Sequence, residues 1–270
     1  MSVIPLRARR AEPSQFPSLL KAGRKRRRLS QLELALQSGV SQRHVSFLES
    51  GRAKPSRAMI LQLSETLQVP LRERNDWLVA AGFAPVFRAR PLEDTQMSQV
   101  MSAVRLMLAN HEPFPALAID RAWNIRLTNR AFERFESLLG GNVWDRVGGP
   151  ERNLMRLTFH PGGIRPLIAN WAEIAPLLWH RASREAEAVG GQDMKAVLAD
   201  LAPYQSNETL WGDVEAPLLP VLPLELELDG VHMSLFTVIA TFGTPQDVTA
   251  DELRIETFFP ADEATEKLFR

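Results

Sequence analysis

A chain of 270 residues that is 45% apolar and 24% charged has the composition of a globular protein and the length of two domains. With no cysteine it excludes disulfides, thiol catalysis and cysteine-based metal sites; with no apolar run of membrane-spanning length and no secretory h-region, a cytoplasmic location is expected. The zero net charge hides a split, since residues 1–84 hold 15 Lys+Arg against 6 Asp+Glu, a net of +9, and residues 85–270 hold 17 against 26, a net of −9. Only the first part should seek polyanions.

Residues 1–15 carry Arg7, Arg9 and Arg10 between Pro5 and Pro13 and read as a flexible arm, suited to phosphates or simply to solvent. A first helix is predicted over 16–28, with Phe16, Leu19, Leu20 and Gly23 inward. Its closing run, Arg24-Lys25-Arg26-Arg27-Arg28, complements a helix C-terminus and is read as facing phosphate. Ser30 followed by Glu33 is a capping box, so a second helix starts at Gln31, with Leu32, Ala35 and Leu36 assigned to one inner face. Gly39 ends that helix through positive φ, Val40 plugs the corner, and Ser41 caps a third helix over 42–49 with Val45 and Leu48 buried. Gln42, Arg43, His44, Ser46 and Phe47 are thereby left outward or at the helix start, suited to base edges in a major groove. Gln31, Arg52, Lys54 and the Arg24, Arg26 and Arg28 guanidiniums are assigned to the DNA backbone.

The run L-S-Q-x-x-L-A-x-x-x-G-V-S-x-x-x-V-S-x-L-E-x-G-R-x-x-P over 29–55 resembles the helix-turn-helix of Xre-family (lambda-repressor-like) regulators. The resemblance implies double-stranded DNA as partner. Ser56 caps a fourth helix with Met59, Ile60, Leu63 and Leu67 at core spacing, and a fifth over 71–81 carries Trp77 and Leu78 before Gly82. Residues 1–84 are therefore read as a DNA-binding domain, and 85–96, with Pro85 and Pro91, as a linker.

The remainder, 97–270, opens with a helix over 97–111. A strand over 116–119, a turn containing Trp123, a strand over 124–128 and a helix capped by Asn129 follow. Gly-rich turns stand at 140–141 and 148–149, helical segments at 153–159, 166–189 and 194–201, and Trp211 in a loop. Leu222, Leu224, Leu226 and Leu228 alternate with polar or Pro residues as a half-buried strand, Asp229-Gly230 is a primed hairpin turn, and strands over 231–242 and 253–259 complete a sheet of about five before a final helix over 261–269.

Pro115-Ala116-Leu117-Ala118-Ile119-Asp120 with Trp123 and Asn129-Arg130-Ala131, residues 153–159, Trp171 and the segments 244–249 and 255–262 together resemble the ligand-binding domain of MmyB-like transcription regulators. The resemblance implies a PAS-like fold with a hydrophobic pocket for a small fatty-acid-like or natural-product ligand. Leu117, Ile119, Trp123, Phe132, Trp144, Phe159, Trp171 and Phe236 are the expected apolar wall, with Asn129 and Arg156 as its polar members and the arginine as partner for an acidic head group. Thr128 stands where the family commonly has an aromatic, which would reshape the pocket.

No catalytic constellation is legible. His111, His160, His180 and His232 are scattered, and no G-x-S-x-G, phosphate loop or dinucleotide fingerprint occurs. The sequence thus reads as an α+β chain: a five-helix DNA-binding domain and a PAS-like domain with an antiparallel sheet. A homodimeric transcription regulator is expected, with no enzymatic activity, no metal and no cofactor beyond a bound apolar ligand. The competing reading is an antitoxin-like or scaffold DNA-binding protein whose second domain binds a protein partner.

Overall fold

The computed structural model describes residues 15–187, 191–205 and 220–270; the expected N-terminal arm up to residue 14, and Trp211, lie outside the described residues. The chain divides into two units, Met1–Arg88 and Ala89–Arg270.

In the first unit, α1 (Phe16–Arg26), α2 (Gln31–Ser38), α3 (Gln42–Glu49), α4 (Arg57–Thr66) and α5 (Leu71–Ala80) enclose one core. Phe16 meets Trp77 edge-on with ring centroids 6.0 Å apart, and both are buried. Gly23 is required for this approach, because a Cβ there would stand 2.8 Å from the Trp77 ring. Helix α1 ends before the expected Arg28 because that residue turns into the left-handed region (φ 55°), its N–H donating to the Lys25 carbonyl at 2.9 Å. Ser30, Ser41 and Ser56 each cap a helix, accepting the N–H of Glu33, His44 and Met59 respectively.

The inner face of α2 is a correction. Leu34, Ala35 and Ser38 are buried, whereas Leu32 and Leu36 are 49% and 75% exposed. A helix this short presents a narrow inward stripe, and Leu34 with Ser38 at i, i+4 occupies it.

The second unit begins with α6 (Ser98–Asn110), β1 (Ala116–Ile119) and β2 (Ile125–Thr128). Next come α7 (Arg130–Leu138), α8 (Val143–Val147), α9 (Leu154–Phe159), α10 (Trp171–Glu187) and α11 (Gln192–Leu201). Then β3 (Leu224–Leu228), β4 (Val231–Ala240), α12 (Val248–Glu252), β5 (Arg254–Pro260) and α13 (Glu263–Phe269) complete it. The five strands form one antiparallel sheet in the order β2-β1-β5-β4-β3. Asp229 (φ 50°) and Gly230 (φ 79°) make the primed turn that sets Leu228 opposite Val231.

Alternation sorts the sheet into two faces. Leu117, Ile119, Leu226, Met233 and Leu235 join the larger core, to which helices α7–α11 contribute. On the opposite face Ala116, Ala118 and Ile255 pack with Val104 and Leu108 of α6.

The helix expected from residue 166 starts only at Trp171. Residues 168–170 are instead zipped to the third strand: Ile168 bridges Leu226, the Ala169 N–H donates to Glu225 O at 2.8 Å, and the Asn170 side chain bonds Pro223 O and Glu225 N. Helical periodicity does not register such a local preference for a strand partner. The short α8 and α12 were not expected from periodicity either.

Candidate nucleic-acid interface and ligand cavity

The helix-turn-helix is fixed by one carboxylate. Glu49, at the end of α3, accepts Arg24 Nε at 2.6 Å, Arg24 Nη2 at 2.9 Å and Gln31 Nε2 at 2.7 Å, while Arg24 Nη1 donates to Leu29 O at 2.7 Å. Three helices therefore meet on Glu49. Burial alone would push its carboxyl up, but the bonds from Arg24 and Gln31 and the charges of Arg24 and Lys21 outweigh it and hold it below the usual carboxylate range.

This geometry reassigns part of the basic run. Arg24 is committed to Glu49, Arg26 pairs with Glu73 of α5, and Arg27 donates to the Leu67 carbonyl at 2.9 Å and to Gln68. The run thus staples α1 to α3, to the end of α4 and to α5. Lys25 and Arg28 are exposed with no ion pair among the described residues, and Gln42, Arg43, Arg52 and Lys54 are exposed as well. His44, Ser46 and Phe47 are half-buried, and the Arg43 guanidinium lies 5.1 Å from the Phe47 ring centroid, one turn along α3. The first turn of α3 is polar and cationic, Arg52 and Lys54 follow the helix's C-terminal end, and Arg24 and Gln31 support that end through Glu49.

In the second unit, an apolar cavity of about 30 Å³ lies between the sheet and the helices, lined by Pro115, Phe132, Phe135, Leu154, Leu157, Ile164, Leu224, Leu226, Leu235 and Phe258. Of the residues expected to form a pocket wall, Phe132 lines it. Leu117, Ile119, Trp123 and Phe159 are buried in the same core, with Trp144 and Trp171 packed against it. Phe236 is elsewhere: it points from the opposite face and stacks on Phe259, centroids 5.5 Å apart.

Both expected polar members are engaged outside the cavity. Asn129 Oδ1 accepts the N–H groups of Ala116 and Phe132, each at 3.0 Å, and Nδ2 donates to Leu108 O and Phe114 O. That side chain caps α7 and ties it to β1, leaving its amide fully used. Arg156 forms an ion pair with Asp200 of α11. The residues not singled out from sequence, such as Phe135, Leu224 and Leu226, become neighbours only when strand and helix meet, although the leucine alternation already placed Leu224 and Leu226 on one face.

A second cluster is polar and half-buried, gathered around the buried Glu256 carboxylate. Arg181 of α10 reaches Glu256 of β5 at 2.9 Å and lies 4.5 Å over the Trp123 ring. The Trp123 indole N–H donates to Glu185 at 2.6 Å, and Glu185 pairs with Arg254 at 2.7 Å. Burial raises the Glu256 carboxyl; the charge and hydrogen bond of Arg181 offset only part of that, and Glu185 adds repulsion. Trp123 itself sits at φ 65°, a strained conformation for a bulky residue, held by the turn in which Asp120 accepts the N–H groups of Ala122 and Asn124.

No helix among the described residues is long and apolar enough to cross a membrane, and no group of metal-binding side chains occurs among them. No curated protein matches the sequence. One solved structure, described as an RNA-binding Light-Oxygen-Voltage receptor, aligns with 97% of this chain at 16% identity and a TM-score of 0.27, too low a likeness to support an argument; the chain spans 61% of that structure's length. Residues 20–74 match the helix-turn-helix family, and residues 100–270 match the MmyB-like transcription regulator ligand binding domain. The chain belongs to the MmyB-like transcription regulator ligand binding domain family, and carries a helix-turn-helix ahead of that domain.

Proposed function

We propose that this regulator reads DNA through the first turn of α3 and is controlled by a small hydrophobic ligand held in the second unit. The observation that carries the ligand reading is the match of residues 100–270 to a ligand-binding family, whose sheet and helices here enclose an apolar core. Gln42 and Arg43 are assigned to base edges, with His44 and Ser46 beside them, and Arg28, Arg52 and Lys54 to phosphates. Arg24 and Gln31 act through Glu49 by placing α3. The role is regulatory, in the cytoplasm, and we assign no catalytic step. One recognition helix per chain reads one half-site, so the working form is a homodimer with half-sites about one helical turn, roughly 34 Å, apart.

Mass spectrometry of small molecules released from the purified full chain tests the ligand reading, coupled to binding of DNA duplexes selected in vitro. An apolar compound is expected, and adding it back should shift DNA affinity. A stoichiometric protein partner, with no small molecule and no response to extract, overturns the reading. Replacing Arg43 with Ala should cost about 1–3 kcal/mol at one base pair and relax choice there. A uniform loss over all sequences would move Arg43 to the phosphate class.

A further inference from the structure

Among the described residues, every edge of the second unit's sheet but one is blunted. β2 has four residues, and its Arg126 is ion-paired to Asp120 and Glu151. Its start is met by residues 152–153, with the Ile125 N–H donating to Arg152 O at 2.8 Å. β3 carries Glu225 and Glu227 and is covered by residues 168–169. Short, charged or covered edges are how sheets avoid pairing with other strands.

The exception lies within β4. That strand runs to Ala240, but β3 pairs only with Val231–Leu235. Residues Phe236–Ala240 therefore have β5 on one side and, among the described residues, no strand on the other. β3 begins no earlier because the residue before it is Pro223, which has no N–H and whose carbonyl is taken by the Asn170 side chain at 2.8 Å. The hairpin fixes which backbone groups are left over. Its two-residue turn makes Leu228 and Val231 a hydrogen-bonded pair, so odd-numbered residues of β4 turn their N–H and C=O away from β5 and even-numbered ones toward it. Two bonds agree: the Ser234 carbonyl accepts the Ala261 N–H at 2.8 Å, and the Val238 carbonyl accepts the Thr257 hydroxyl at 3.2 Å. Thr237 and Ile239 thus each present a backbone donor and acceptor at an exposed edge. No charge guards it. Residues 233–246 hold no charged side chain, within a part of the chain, 85–270, whose net charge is −9.

We propose that Phe236–Ala240 is the self-association strand of this protein, pairing antiparallel with the same strand of a second copy. A two-fold axis through Val238 sets Thr237 of each copy opposite Ile239 of the other. Both of these are hydrogen-bonded pairs, so every left-over donor and acceptor is used. Val238 meets its own counterpart in the close, non-hydrogen-bonded position, and the two five-stranded sheets become one. Charge and symmetry name the occupant. Two acidic units repel each other, and this neutral stretch lets them touch without opposing like charges. The free groups complement themselves under a two-fold, as an isologous contact requires. The inference rests on the homodimer reading above and adds the strand that carries the contact.

The full chain has no native cysteine, so a single introduced thiol reads the register. Val238→Cys should give a disulfide-linked dimer under mild oxidation, because Cα atoms in the close position stand about 4.5 Å apart, within disulfide reach. Thr237→Cys should not, since its counterpart lies two residues further along the strand. Val238→Lys, at an exposed position, should weaken self-association in analytical sedimentation by about tenfold or more while leaving the circular dichroism spectrum unchanged, because like charges then face each other. If that variant fails to fold, the two cysteine variants carry the test. A dimeric wild type that crosslinks equally at both positions, or at neither, overturns the strand contact and leaves the homodimer reading standing. A wild type that sediments as a monomer up to high micromolar concentration overturns both.

Discussion

Both units tuck carboxylates away from solvent, but the first pairs each with one arginine of the α1 end, whereas the second joins four charges in one cluster. Arg24, Arg26 and Arg27 at the C-terminal end of α1 tie the other helices through Glu49 and Glu73, whose side chains are each 4% exposed, and through the Leu67 carbonyl. In the second unit Arg181, Glu185, Arg254 and Glu256 are packed between α10, β5 and the Trp123 indole, and the same unit holds a small apolar cavity elsewhere. Buried ion pairs and voids both lower stability relative to a filled apolar core. The first unit thus places one ion pair at each junction of α1 with α3 and α5, and the second concentrates its charges where α10 meets β5.

The largest test of that contrast is Trp77→Ala. Removing a fully buried ring should cost about 3–5 kcal/mol and unfold the first unit, while the second keeps its own transition in chemical denaturation. Loss of both transitions together would show that the units are one cooperative body. Arg181→Met comes next. It leaves Glu256 buried and uncompensated, for an expected loss of about 3–5 kcal/mol confined to the second unit at neutral pH.

The raised carboxyl of Glu256 makes that loss pH-dependent. A group whose folded value is raised contributes stability below its ordinary value and loses it as pH rises through the folded value. The Arg181→Met deficit should therefore shrink as pH falls toward the carboxylate range, and adding Glu256→Gln should remove most of it at every pH. A deficit that ignores pH would rule out Glu256 as its cause.

Glu49 has the opposite sign. Its folded value is lowered, so its contribution is present above the ordinary carboxylate value and disappears as pH falls through the folded one. Glu49→Gln should cost the first unit about 2 kcal/mol near neutrality, and the gap from wild type should close in acid. The smallest effect is Ser41→Ala, where loss of the α3 cap should cost about 1 kcal/mol by thermal melting.

The helices of the first unit were legible because their signals are local: a serine cap, a periodic stripe and a glycine stop recur within each short segment. The error at Leu32 and Leu36 arose where several leucines compete for one narrow stripe and tertiary packing chooses among them. The basic run was legible as charge but not as staples, because Glu49 and Glu73 lie 25 and 47 residues from their partners. In the second unit, alternation revealed β3 and its turn. The pairing of residues 168–170 with that strand, and the meeting of Phe135 with Leu224 and Leu226, are long-range outcomes with no local signature. Asn129 was correctly placed as a helix cap, yet its role as a four-bond tie between β1, α6 and α7 required the assembled fold.

One consequence of the Glu49 tie concerns how such a protein changes over generations. The groups that seat α3, Val45, Leu48 and the Glu49 carboxylate, are separate from Gln42 and Arg43, which face outward. A lineage can therefore rewrite the outward residues while the socket stays the same, and acquire new operators without first acquiring a new fold.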